Sequence, residues 1–169
     1  TPLYSSAASD VYKRQDIMAG SQLVQGILGA LIRRQKTGKG ALIEVSLLES
    51  LLDFQFELIT TYFTSKQQPK RSVIANGQPL LGAPYGIYQT ADGYLALAMM
   101  DLHQLADTIG CVDLKNFAKE DAFAKRDAIK QLLVDHLKRQ ATNYWLGLLQ
   151  EAGLWAMEVM NWDELTEHE

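Results

Sequence analysis

The sequence predicts an α/β chain in two parts, a helix-rich part before residue 65 and a small α+β unit after residue 84. Three observations carry this expectation. An apolar helix pattern, a short β-rich run and a second dense apolar run follow one another up to Phe63. From Ser65 to Pro84 the periodicity stops, and three of the four prolines, Pro69, Pro79 and Pro84, fall there. Two alternating runs then flank Ala91-Asp92-Gly93, and helical patterns fill most of the remainder.

The first helix is expected over Met18 to Gln35, because Leu23, Val24, Ile27, Leu28, Leu31 and Ile32 recur at helical spacing. Gly20, Gly26 and Gly29 interrupt it, each at a cost of about 1 kcal/mol against alanine, which calls for a close approach by another element. Arg33, Arg34 and Lys36 complement the C-terminal end of the dipole, and Thr37-Gly38-Lys39-Gly40 stops the helix. A short strand is expected over Leu42 to Ser46. Ser46 and Glu49 have capping-box spacing and open a buried helix over Leu47 to Phe63. The stretch 65–84 is about twenty residues without a pattern, which marks a linker or functional loop. After the hairpin, helices are expected over Leu102 to Ile109, Ala124 to Arg139 and Asn143 to Ala152, with Gly153 as a stop. Ala156 to Met160 reads as a return strand, and Asp163 starts a last helical turn.

The N-terminal stretch Ser5 to Gln15, SSAASDVYKRQ, has no apolar period and resembles a translated sequencing-library adapter. Residues 1–15 are therefore expected to be an appended tail, with a seam between Gln15 and Asp16. The expected organisation is then 16–64 as part of a large-domain core, 65–84 as linker and 85–169 as the small α+β domain.

Composition narrows the function classes. The chain has 169 residues, 47% apolar and 21% charged, with a net charge of −4, and no basic stripe interleaved with aromatics, so nucleic-acid binding is not expected. One cysteine, Cys111, excludes an internal disulfide and a cysteine-cluster zinc site. His103, His136 and His168 lack metal-ligand spacing, so no metal is expected. No apolar run has membrane-span length. A cytoplasmic protein is the expectation.

Few residues offer chemistry by spacing alone. Thr37 to Gly40 resembles half of a phosphate loop but follows a helix and precedes a strand, the reverse of what phosphate binding needs. It reads as a helix stop. Asp16, just before the expected first helix, has two readings. It is an N-cap, or it is an exposed carboxylate held for nucleophilic attack on an acyl carbonyl.

The stretch DIMAGSQLVQGILGALIRRQKTGKGALIEVSLLES resembles the active-site segment of the family III CoA-transferases, the CaiB/BaiF family, which includes formyl-CoA transferase. The matching positions are Asp16, Gly20, Ile27, Leu28, Ala30, Leu31, Arg33, Arg34, Thr37 to Gly40, Val45 to Leu47, Glu49 and Ser50. GAPYGIYQTADGYLALAM resembles the start of that family's small domain. EAGLWAMEVMNWDEL resembles a later segment, with Trp155 in place of the usual proline. The fold implied is part of a Rossmann-like large domain plus the small α+β domain.

The resemblance implies that CoA moves between an acyl-CoA donor and a small carboxylic acid acceptor. Asp16 would attack the thioester to form a mixed anhydride, and CoA would then attack that anhydride to give an aspartyl-CoA thioester. Asn76, Gly77 and Gln78 fall where the family has a glycine-rich loop that keeps water from the intermediate; an ordinary proline-containing turn is the other reading. Coenzyme A enters as substrate, with no permanently bound cofactor. Its binding residues are expected mostly in an N-terminal region that this sequence lacks, so the chain alone is expected to be inactive. An interlocked homodimer is implied for the full-length protein. Two alternatives stay open. One is a racemase of the same fold acting on α-methylacyl-CoA, for which Asp101 lies roughly where a small-domain glutamate is used. The other is a non-catalytic helical interaction module in which Asp16 is only a cap.

Overall fold

The computed structural model describes residues 4–68, 70–74 and 80–168, with side chains from residue 14 onward. It divides into two compact units, Thr1–Pro69 and Lys70–Glu169.

The first unit is helical. Helix α1 spans Tyr4–Thr37, α2 spans Leu47–Phe54 and α3 spans Phe56–Ser65. Helix α1 starts earlier than the expected Met18, and one helix runs through Gln15 and Asp16. No glycine or proline lies between Leu3 and Ala19, so nothing breaks a helix that the patterned run downstream has already nucleated. The end of α1 is as the sequence predicts. Gly38 adopts φ +69°, where a side chain would be strained, and its N–H donates to the Arg34 carbonyl at 2.8 Å. The Thr37 hydroxyl donates to the Arg33 carbonyl at 2.9 Å.

The strand expected over Leu42 to Ser46 is absent, since no described strand lies beside that segment to complete a ladder; Leu42 is 82% exposed. The single helix expected over Leu47 to Phe63 is two helices, broken at Gln55. Ser46 caps α2 through a bond from the Glu49 N–H at 3.4 Å. Side chains tie α2 to α1: the Ser50 hydroxyl donates to Gln22 Oε1 at 2.6 Å, and Gln22 Nε2 donates to Asp53 Oδ2 at 3.0 Å.

Of the α1 glycines, Gly26 has the expected close neighbour. A Cβ there would lie 2.8 Å from Ile43 Cγ2, whereas the same positions at Gly20 and Gly29 meet open space. Gly26→Ala is therefore expected to cost stability, overpacking at about 1–3 kcal/mol outweighing a helix-propensity gain of about 1 kcal/mol. In an Ile43→Ala background the same change is expected to stabilise. Urea titrations of the four proteins check this; the same sign in both backgrounds would refute the contact.

The second unit carries the core. Strands β1 (Gly86–Gln89), β2 (Tyr94–Leu97) and β3 (Ala156–Glu158) form an antiparallel meander in the order β1-β2-β3. The predicted hairpin and return strand are both present. Helix α4 (Leu102–Ile109) is followed by a 3-10 turn (Val112–Asn116), then α5 (Asp121–Ala124), α6 (Arg126–Leu137), α7 (Thr142–Glu151) and α8 (Trp162–Glu167). Helix α6 packs on β1, α7 on β2 and β3, and α4 on α7. Tyr88 and Leu95, opposite one another in register, point into this core with Leu97. Leu102, Leu105, Ala106 and Ile109 of α4 join them at helical spacing, with Ile129, Leu133 and Leu137 of α6 and Trp145 and Leu149 of α7. Each fully buried leucine contributes about 1.5–3 kcal/mol.

Polar side chains fasten the segment entering this unit. Ser72, Arg126 and Lys130 are buried. The Ser72 hydroxyl meets Asp127 Oδ1 at 2.6 Å and accepts from Lys130 Nζ at 3.4 Å, while Arg126 Nη2 donates to the Lys70 carbonyl. Burial depresses the Lys130 pKa, opposed by the Asp127 charge. The Ala83 N–H donates to the Ala122 carbonyl at 2.7 Å.

The hairpin turn has a second task. Ala141, at the N-cap of α7, offers no side-chain cap. Asp92 Oδ1 supplies one from fifty residues away, accepting from Thr142 N–H at 2.7 Å and from its hydroxyl at 2.9 Å. The Thr142 amide, then its hydroxyl, hold the Asp92 pKa below the usual carboxylate value. A depressed folded pKa contributes stability above the unfolded value, lost as pH falls through the folded one. Asp92→Ala is therefore expected to lower the melting temperature at neutral pH. The gap from wild type should narrow below about pH 4, the unfolded aspartate range. A constant gap down to pH 2 would refute the cap.

Candidate active site

Asp16 lies in the interior of α1, about three turns from its first residue, Tyr4, and not at an N-cap. The capping reading is thereby corrected: an interior residue has its backbone partners within the helix, and the dipole's influence fades within the first turn. Its side chain is exposed and makes no hydrogen bond or ion pair among the described residues. Gly20 follows one turn on. A helical side chain covers the surface over the turn before it, so the missing side chain at Gly20 leaves the helix open beside the Asp16 carboxylate, with nothing within 4 Å of its Cβ position. The arrangement presents an exposed carboxylate on a helix.

Asn76, Gly77 and Gln78 lie outside the described residues. Asp101 is the N-cap of α4: its Oδ1 accepts from the His103 and Gln104 N–H groups, both at 2.9 Å. The Gln104 amide, then the His103 amide, hold its pKa below the usual carboxylate range. That carboxylate is engaged in starting a helix, which suits a capping role better than a proton-transfer one. Of the histidines, His103 Nε2 lies 2.9 Å from the Phe117 carbonyl and His136 Nε2 lies 2.8 Å from the Ile109 carbonyl. Among the described residues no three His, Cys, Asp or Glu side chains converge as a metal site would need. Cys111 is buried, and burial raises its thiol pKa.

Sequence reading missed a cavity of about 310 Å³ in the second unit, lined by Gly82, Ala83, Met99, Met100, His103 and Lys119 with Asp101 and Ala122. Its residues come from the segment before β1, the exit of β2, α4 and the loop before α5, so no linear spacing announces it. Gly82 is needed for its shape, because a Cβ there would sit 2.8 Å from the Ala122 carbonyl oxygen. A larger apolar recess of about 680 Å³ lies over the outer sheet face, between Ile87, Ala96, Met157 and Trp155, the last 79% exposed.

A long helix presenting an exposed aspartate, a glycine-closed turn after it, and a small three-stranded α+β unit make this an α/β chain. The chain belongs to CoA-transferase family III, whose family model matches residues 10–169. It is 30% identical over 146 residues to acetyl-CoA:oxalate CoA-transferase of Acetobacter aceti, covering 82% of this chain and 37% of that protein. It is 25% identical over 146 residues to human succinyl-CoA:glutarate CoA-transferase, covering 82% and 33%. The crystal structure of a CaiB/BaiF family protein from Brucella suis matches with a TM-score of 0.69 at 26% identity, over 91% of this chain and 42% of that one. The chain thus spans little more than a third of the curated relatives it matches. No helix among the described residues is long and apolar enough to cross a membrane.

Proposed function

We propose that the full-length protein is a cytoplasmic CoA-transferase that moves CoA from an acyl-CoA to a small carboxylic acid, with Asp16 as nucleophile. Membership of the family over residues 10–169 is the observation that carries the reading, and the exposed, unpartnered carboxylate of Asp16 supports the residue choice. A carboxylate oxygen of Asp16 attacks the thioester carbonyl; the C–S bond breaks and CoA leaves as thiolate. The thiolate attacks the Asp16 carbonyl of the mixed anhydride, releasing the donor acid and leaving an aspartyl-CoA thioester. The acceptor carboxylate attacks that thioester, and the thiolate then takes the acceptor acyl group and frees Asp16. No proton or electron is gained or lost overall, so a carboxylate suffices without a base or redox group.

The test uses full-length protein with acetyl-CoA and succinyl-CoA as donors and oxalate, glutarate and succinate as acceptors. Hydroxylamine added with donor should convert Asp16 into a hydroxamate detectable by peptide mass spectrometry. Transfer without any adduct at Asp16 would overturn the nucleophile assignment, and absence of transfer to every acid would overturn the reaction.

The same reading includes a homodimer. Leu23, Val24, Ile27, Leu28, Leu31 and Ile32 of α1 are 39–57% exposed, and Leu48, Phe54, Phe56 and Phe63 are 51–64% exposed. Contiguous apolar surface of this kind calls for cover by further chain or by a second subunit. Light scattering of the full-length protein should return twice the chain mass.

A further inference from the structure

We infer that the cavity beside the start of α4 is the subsite for the acceptor acid, with Lys119 meeting the carboxylate and Met99 and Met100 forming the wall for its carbon chain. This deepens the transferase reading and rests on it for the identity of the ligand class.

Size comes first. A volume of about 310 Å³ is at the lower limit of small-molecule sites; it holds an acid of a few carbons and not a CoA nucleotide. The polar groups fit one end of such an acid. Lys119 is exposed and forms no ion pair among the described residues, whereas Lys115 pairs with Asp107 and Lys125 with Asp121. Asp101, which also lines the cavity, accepts through Oδ1 from two backbone N–H groups and feels the Lys119 charge, so an acid's carboxylate would share that charge with it. The Phe117 carbonyl can only accept, so the His103 Nε2 bonded to it carries the hydrogen.

The methionine lining is apolar and adaptable. Met99 is 66% exposed and Met100 is partly buried against the core. Unbranched thioethers fit chains of different length without a fixed shape. Gly82 and Ala83 keep the floor free of bulk. A small volume lined by a cation and two flexible thioethers describes a short aliphatic carboxylate better than an aromatic or phosphorylated ligand.

Two surface variants of the full-length protein test this, Lys119→Gln and Met99→Trp. Both side chains are exposed, so the fold should tolerate each. With glutarate as acceptor, Lys119→Gln is expected to raise the KM for the acid about tenfold, the loss of one charge-assisted contact. The KM for acyl-CoA should stay within twofold. Met99→Trp is expected to raise the KM for glutarate more than that for oxalate, because a larger ring reduces the volume left for the longer acid. An acid KM within twofold of wild type in both variants overturns the subsite while leaving the transferase reading intact. If the wild type transfers CoA to no acid, the transferase reading fails separately. Calorimetry then decides the cavity: glutarate binding to wild type but not to Lys119→Gln retains it as a carboxylate site, and equal or absent binding removes it.

Discussion

Replacing Asp16 by alanine in the full-length protein is expected to lower CoA transfer at least about a thousandfold, by removing the group proposed to carry the covalent intermediate. The fall should appear in kcat, with the KM for acyl-CoA little changed, because the carboxylate acts on the reacting carbonyl and not on the nucleotide. Asp16→Asn should fall as far, since an amide is no comparable nucleophile. Folding should be unaffected: the side chain is exposed and makes no hydrogen bond among the described residues, and alanine is the best helix former. Steady-state kinetics together with far-ultraviolet circular dichroism check both halves. Retention of a tenth of the activity with a native spectrum would remove Asp16 from the chemistry.

The largest stability effect is expected at Trp145. Its ring is buried, stacked obliquely on His136 at 5.3 Å and edge-on to Tyr144 at 5.0 Å. Its indole N–H donates to the Leu137 carbonyl at 2.8 Å, joining the last turn of α6 to α7. Trp145→Ala leaves both a cavity and an orphaned carbonyl. The expected loss is about 4 kcal/mol, a large share of the 5–15 kcal/mol typical of a domain. Trp145→Phe keeps most of the bulk and loses the hydrogen bond, so it should cost less than half as much. Urea unfolding followed by amide exchange in α6 and α7 measures this. A loss below 1 kcal/mol for the alanine variant would mean that the ring does not join the two helices.

The sequence was most legible where a residue's own chemistry dictates local geometry. Ala91-Asp92-Gly93 turned the hairpin, Gly38 ended α1 and Ser46 opened α2, because turns and caps depend on a few neighbouring side chains. The periodic α4 was legible to the residue, Leu102–Ile109. What failed depended on absence or distance. The start of α1 was missed because an unpatterned run without glycine or proline propagates a helix as readily as a tail. The strand expected over Leu42 to Ser46 did not form because β propensity requires a partner strand to act on. The break at Gln55 has neither glycine nor proline to announce it. For the candidate site, a long fixed-spacing match singles out Asp16, but its place inside a helix was not legible. The cavity residues Gly82, Met99, His103 and Lys119 share no motif and meet only through the fold.

The cap at Asp92 also orders events in time. The hairpin closes over a handful of residues, a microsecond process, and can turn before the rest of the unit exists. The helix that Asp92 caps begins fifty residues later, so this bond waits until α4 and α6 have folded back across the sheet. A local turn therefore doubles as the latch of a long-range closure, and loop-closure entropy is met before the latch adds anything. Loss of the Asp92 carboxylate should for that reason show mainly as faster unfolding, the refolding arm of a chevron staying nearly in place.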